Sequence, residues 1–387
     1  MRRVAFLPAL VLAVAPLLTL GSAGTAGAVS DEASFRTAWD TATSVVLDAD
    51  ITLTCAGGGV AVRTGDADVA LNGRGHTISQ EDGCDERVLV VADISDASAT
   101  LRDVTIRGGR TRGFGGGLLM DNLGDMTIID SYFTDNIACG DGGAIDSEGD
   151  TDTEITISGT TIAGNSAPNA EAGAIWAEGT AISITNSTIT DNTGGNDISA
   201  IADAGGSLTT FYTDIVDNPF EPGGLCVFSA GTGYSAGTHA DDGSGSAAAA
   251  DGQIQAETFA PFGTVITGNV DSSNCNSDDP MTTNSAGYNL ASDSSCGLND
   301  PTDVEGVTDP GLGALADNGG PTLTLLPQTG SPLVDQIPAS SPCAGVDIVV
   351  DQRGLPRPTT AGQLCDIGAV ELQPVVVVVA VTPTFTG

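Results

Sequence analysis

Lysine is absent from this chain. All 12 basic residues are arginines, set against 50 Asp and Glu, for a formal charge of −38 over 387 residues. Arginine itself is missing from Gly113 to Gln352. A chain this acidic has no basic footprint for a phosphate backbone, which excludes nucleic acid as a partner. It also has nothing to hold it to an anionic membrane surface. Histidine occurs twice, at His76 and His239, and no Cys-x-x-Cys is present, so a zinc site has no ligand set. Aromatics are only 4%, yet hydrophobic residues reach 40%, too many for an acidic disordered solubiliser.

The chain ends carry processing signals. Residues 1–28 read as a secretory signal peptide, with Arg2 and Arg3 as the positive region, Val4 to Leu20 as the apolar core and Ala26-Gly27-Ala28 as the cleavage site. The expected location is therefore secreted or at the cell surface, with no transmembrane span in the mature chain. Arginine in place of every lysine, with abundant Ala and Gly, points to a GC-rich bacterial coding sequence. In the tail, residues 373–387, Val375 to Val379 make an apolar run far too short to span a bilayer. Leu326-Pro327-Gln328-Thr329-Gly330 matches the sortase LPxTG pattern but lacks the apolar helix and basic tail of a working anchor.

Export makes the eight cysteines informative, because an oxidising compartment favours disulfides. Sequence proximity pairs Cys55 with Cys84, Cys275 with Cys296 and Cys343 with Cys365. Each bond closes a loop of about 20–30 residues, worth about 3 kcal/mol in the loop-entropy model. Cys139 and Cys226 are left, as a fourth pair or as free thiols.

The middle of the chain repeats. Segments starting at Met126, Ile155, Ile182 and Leu208 align without gaps and end at Asn136, Asn165, Asn192 and Asn218. Their starts lie 29, 27 and 26 residues apart, with an earlier copy at Ala99–Gly109 and a looser one near Val69. A second element keeps the period: Gly116-Gly-Leu-Leu119, Gly142-Gly-Ala-Ile145, Ala172-Gly-Ala-Ile175 and Gly224-Leu-Cys-Val227, with Ser199-Ala-Ile201 as a degraded copy. Alternating apolar residues between Gly/Asn/Asp turns predict two or three short strands per repeat. One repeat cannot bury its apolar face, but stacking does so. Ile128, Ile157 and Ile184 form one predicted interior column, and Phe133, Ile162, Ile189 and Ile215 another. The fold class is all-β: a right-handed parallel β-helix of roughly ten coils of about 27 residues. Residues 29–44 supply an N-terminal cap, a short helix with Phe35, Ala38, Trp39 and Ala42 on one face. The β-helix proper spans 45–273. Its Gly/Ser/Ala-rich stretch at 229–258 reads as a loop or as a degenerate coil.

The Gly-Gly-Ala-Ile and Phe-Thr-Asp-Asn (133–136) repeats resemble those of polymorphic outer-membrane proteins, within the pectin-lyase-like superfamily. Ala33-Ser-Phe-Arg-Thr-Ala-Trp39 resembles the CSLREA-type element that precedes such β-helices, without its leading cysteine. Residues 274–372 resemble the choice-of-anchor Q domain. The shared pieces are Gly287-Tyr-Asn-Leu290, Asp317-Asn-Gly-Gly-Pro-Thr322, Leu325-Leu-Pro327, Gly330-Ser-Pro332, Asp351-Gln-Arg-Gly354, Arg357-Pro358 and Cys365-Asp-Ile-Gly-Ala369. The resemblance implies a secreted bacterial surface protein and a C-terminal continuation of the β-helix.

No residue set reads as catalytic, and no ligand-binding set is legible. The superfamily's lyases need a basic proton acceptor, which the arginine-free central coils do not supply. Arg102, Arg107, Arg110 and Arg112 cluster on an early coil, as surface residues or as a patch for an anionic ligand. Asp135, Asp191 and Asp217 share one repeat column, interrupted by Gly164. They are solvated turn residues or, as the one cofactor candidate, weak calcium ligands. Asn136, Asn165, Asn192 and Asn218 form a predicted structural ladder of stacked amides. His76, in a Gly-His turn like that of polygalacturonases, lacks the accompanying catalytic pieces. Asp335, Asp351, Arg353, Arg357, Asp366 and Glu371 read as an ion-paired cluster holding the C-terminal part together. The expectation is a non-enzymatic module contacting carbohydrate or a surface protein. The alternative is a polysaccharide lyase or glycoside hydrolase. The oligomeric state is not legible.

Overall fold

The computed structural model describes residues 27–63, 67–94, 97–148, 153–196, 198–220, 252–268, 273–275, 281–339, 343, 348–358 and 362–374. Residues 1–26 of the segment expected to be a signal peptide, Cys226, the Gly224–Val227 copy and most of the tail lie outside the described residues.

One turn of the chain shows how the repeat becomes a coil. Met126–Ile129 forms a first strand, Tyr132–Thr134 a second, Ile137–Ala138 a short third and Ile145–Glu148 a fourth. Each pairs in parallel with its counterpart one repeat on, Ile128 with Ile157 and Phe133 with Ile162. Both interior columns form as expected. Ile157 also aligns with Ile184, while Ile162 aligns with Ile189 and Ile189 with Ile215. These side chains are at most 1% exposed, which places the core along the solenoid axis.

The bends between strands explain the residue types in the turn columns. Asp103, Asp130, Gly159, Asn186, Tyr212 and Gly263 all sit at positive φ, and so do Gly108, Asp135, Gly164, Asp191, Asp217 and Gly268. Left-handed backbone selects Gly, Asn and Asp, which adopt it with least strain. Tyr212, at φ 48°, is the exception, and its role emerges below.

The stack makes about seven full turns of about 27 residues, fewer than the ten expected. Two features account for the difference. First, Ser207–Phe211 pairs directly with Thr258–Phe262, and Asp214–Val216 with Val265–Thr267. These strands are adjacent rungs although their starts lie 51 residues apart, and residues 221–251 between them lie outside the described residues. The end of the intervening stretch is regular: Gly252–Gln255, expected as loop, is a strand beside Ile198–Ala204. Ile201 therefore stacks on Ile254. Second, the turns shorten after Thr267. Leu290–Ala291 pairs with Val304–Glu305, only 14 residues on, and an antiparallel hairpin follows, Leu312–Ala316 with Thr324–Pro327. The LPxTG motif begins inside that hairpin. The glycine element also needs one correction. Leu118 pairs with Ile145, so Gly115, not Gly116, matches Gly142.

The N-terminal end is closed by the one helix among the described residues, Glu32–Thr41, with Phe35, Ala38 and Trp39 buried against the first turns. Arg63, fully buried, donates to Trp39 O at 2.7 Å and Ala42 O at 2.9 Å, tying the helix's C-terminal carbonyls to the solenoid. Cys55–Cys84, Cys275–Cys296 and Cys343–Cys365 are bonded, with Cα separations of 5.4, 4.9 and 5.8 Å. Cys139 is disulfide-bonded to a partner outside the described residues.

From Gly306 the chain turns back along the side of the coils. Leu323 O accepts from Thr161 Oγ1, Gln352 bonds Thr188, and Ala369 N–H donates to Asp214. A second apolar core fills the contact, with Leu325, Leu333, Ile337 and Ile367 against Tyr212, Phe262 and Val265. We call these C-terminal residues the strap.

Candidate functional site

The asparagine column is a continuous buried chain of amides. Asn136 Nδ2 donates to Asn165 Oδ1 at 2.9 Å, Asn165 to Asn192 at 2.9 Å and Asn192 to Asn218 at 3.0 Å. Gln253 and Asn274 extend it, at 3.0 and 3.1 Å. All six are fully buried, and each asparagine also donates to a strand carbonyl, such as Phe133 O for Asn165. Every side-chain donor of Asn136, Asn165, Asn192, Asn218 and Gln253 is used, so the ladder is a structural spine.

Asp135, Asp191 and Asp217 do not converge. They are exposed, each at positive φ, and Gly164 occupies the same backbone state. Among the described residues the only close set of three potential metal ligands is Cys55, Glu81 and Cys84, whose two sulfurs are already joined. The column's composition follows from its left-handed backbone. Three of the four early arginines are met by carboxylates one rung away: Arg102 by Asp130 at 3.7 Å, Arg107 by Asp135 at 3.9 Å and Arg112 by Asp85 at 3.6 Å. His76 Nδ1 lies 3.1 Å from Asp50, also one rung away.

Two outward faces of the solenoid differ sharply. On the first-strand face, Thr100, Thr127, Thr156, Ser183 and Thr209 stack in unbroken register, all partly exposed. Parallel rungs lie about 4.8 Å apart, so five of them make a strip about 19 Å long. Ser158 and Thr185 add hydroxyls two residues on. Glu154 is the only carboxylate at the outward positions of Glu154–Ser158, Ala181–Thr185 and Ser207–Phe211. On a molecule of this charge the strip is nearly neutral.

The second-strand face is covered. In Tyr132–Thr134 only the inward residue is buried. In Thr161–Ala163, Thr188–Thr190, Asp214–Val216 and Val265–Thr267 all three are. The strap lies over them. Gln352 is its key: Thr188 Oγ1 donates to its Oε1 at 2.7 Å, and its Nε2 donates to Thr161 Oγ1 at 2.9 Å and Thr322 Oγ1 at 3.0 Å. Asp351 and Arg353 pair at 2.7 Å, and Arg357 lies 3.5 Å from Glu371 and 4.1 Å over the Tyr212 ring. The strained Tyr212 backbone thus aims an aromatic face at the strap. Gly263, one rung on, leaves that ring room, since a Cβ there meets it at 3.0 Å.

Of the six cluster residues expected from sequence, five meet directly, and Asp335 joins through its N–H to Asp366 at 2.7 Å. The structure adds three carboxyls whose roles were not legible. Asp214 is buried, with Oδ2 unpartnered, and burial pushes it up to about 7. Asp203, inside the core, is likewise pushed up to about 7 by burial, against one hydrogen bond from Thr180 N–H. Asp146 has neither oxygen partnered, and burial raises it well above the usual carboxylate range. Their only sequence signal is an acidic residue at a strand position.

A shallow pocket of about 190 Å³ lies where the strap leaves the coils, lined by Asp217, Thr267, Asp309, Leu312 and Leu325. Among the described residues no helix is long and apolar enough to cross a membrane. No family model, curated protein or solved structure matches the chain.

Proposed function

We propose that the chain is an exported bacterial surface protein of the choice-of-anchor Q type that contacts uncharged polysaccharide and does not cleave it. The observation that carries this reading is the hydroxyl strip. Five stacked Thr and Ser side chains offer donors and acceptors at a fixed repeat, on a rigid scaffold that loses little entropy on binding. Acidic polymers are disfavoured by the surrounding negative field, whereas a neutral glycan is not. The Thr/Ser rungs themselves carry no carboxylate; the exposed acids, Glu154 and Asp125 one rung below it, lie at the edge of the strip, where Asp125 accepts from Glu154 N–H at 3.2 Å. The bonded cysteines fit an oxidising extracellular setting.

A panel of insoluble neutral and acidic polysaccharides tests the reading. Retention on neutral polymers, weakly sensitive to salt and without release of soluble sugar, is expected. Capture by polyuronates alone, or release of reducing ends, overturns it, and the second result favours the hydrolase or lyase alternative.

A further inference from the structure

We propose that the strap is a pH-operated cover, docked in acid and released in alkali, over a second hydroxyl-bearing face of the solenoid. The covered residues include Thr161, Thr188 and Thr190, directly beside the open strip. Release therefore widens the surface that the proposed function assigns to glycan contact. The pH step itself does not depend on that reading.

The argument rests on an imbalance of buried charge. Asp214, Asp351, Asp366 and Glu371 are each about 2% exposed or less. Only two guanidiniums, those of Arg353 and Arg357, serve them. Asp351 takes Arg353 in a two-pronged pair, its Oδ2 accepting from Nε at 3.0 Å and NH2 at 2.7 Å. Glu371 takes Arg357. Asp366 is left with the backbone N–H groups of Asp335 and Leu372, and Asp214 with that of Ala369 alone. Asp214 is thus the least compensated acid of the contact, and it is the one contributed by the solenoid. The groups facing it across the joint are Arg357, Asp366 and Glu371 from the strap, with Asp335 at the rim and Tyr212 from its own coil.

A carboxyl in this position is tolerated while it holds a proton. Ionised, it is a buried charge with a free oxygen, and the cheapest relief is to let the strap lift and water enter. Burial has already moved Asp214 to about 7, and Asp366 is raised for the same reason. Release thus falls near neutrality. The strap's strands, Leu312–Ala316 and Thr324–Pro327, pair only with each other, so it can lift without breaking a rung of the stack.

Hydrogen exchange of the full chain, read on peptides and corrected for intrinsic rates, tests this at about pH 5.5 and about pH 8.5, either side of the titration. Peptides over 321–337 and 348–358 are expected to lose protection about tenfold or more at the higher pH, while peptides over 155–192 keep theirs. Asp214→Asn is expected to hold the strap equally protected at both values. Asp214→Thr, which places the residue of the two preceding rungs at this position, provides a second neutral variant should Asn disturb folding. Equal strap protection in the wild type at both pH values overturns the proposal, as does an unchanged pH step in both variants. Loss of glycan retention with the pH step intact would count against the functional reading alone.

Discussion

Asn165→Ala is expected to lower stability by about 3–5 kcal/mol, far more than any exposed substitution in the same coil. The wild-type amide accepts from Asn136 N–H and Nδ2, and donates to Phe133 O and Asn192 Oδ1. Alanine leaves those partners buried without a replacement, and each stranded group costs about 1–3 kcal/mol. The melting midpoint should fall by roughly 4–7 °C, and a calorimetric scan reads it. Asp191, the preceding neighbour of Asn192 in the chain, provides the contrast. It is exposed at φ 55°, so Asp191→Gly should shift stability by about 0.5 kcal/mol or less. A chelator should likewise leave the midpoint unmoved. A large loss on Asp191→Gly, or a drop on adding chelator, would favour the calcium reading of Asp135, Asp191 and Asp217.

Stability is also expected to fall as pH rises from about 4 to about 7, the reverse of ordinary acid denaturation. Asp203 and Asp214 have folded pKa values of about 7 against a usual 3.8. Between those values the folded chain binds more protons than the unfolded one. The stabilisation is complete below the unfolded value and is lost through the folded one. The slope is on the order of 1.4 kcal/mol per pH unit for each fully titrating group. Self-repulsion of a chain at −38 acts in the same direction as its acids ionise. Asp31, Asp50 and Asp300 have lowered values and act oppositely, but below about pH 4 and from the surface. Asp203→Asn keeps an acceptor for Thr180 N–H and removes the charge, so it should flatten the profile. Midpoints measured across this range decide the matter. A rise toward neutrality in the wild type would mean that these carboxyls are solvated.

What could be read from the sequence was whatever the solenoid repeats. The isoleucine columns, the ladder and the cap helix follow from a period of about 27 residues and from Phe35 and Trp39 at helical spacing. The strap was not legible because it obeys no period. Its contacts join residues far apart in the chain, 155 for Ala369 to Asp214 and 192 for Gln352 to Thr160. Thr161 and Thr188 alternate like any solvent-facing strand residue, and only the change from half-buried to buried rungs reveals what lies on them. Why Gly164 interrupts the Asp column became legible only in the structure, where Asp135 and Gly164 share the same left-handed backbone. The open hydroxyl strip appears only once the register aligns Thr100 with Thr127, Thr156, Ser183 and Thr209.

That strip is the contact surface in this account, and charge placed on it is the most direct test. Thr156→Glu with Ser183→Glu puts two carboxylates on adjacent rungs of the strip. Ser166→Glu with Thr193→Glu puts the same charge on two rungs of another face. The measurement is the binding isotherm of each double variant on an insoluble neutral glucan, beside the wild type. The expected result is at least about a tenfold loss of affinity for the strip variant, equivalent to about 1.4 kcal/mol, with the control unchanged. Equal affinity for all three proteins, or an equal loss in both variants, would contradict it.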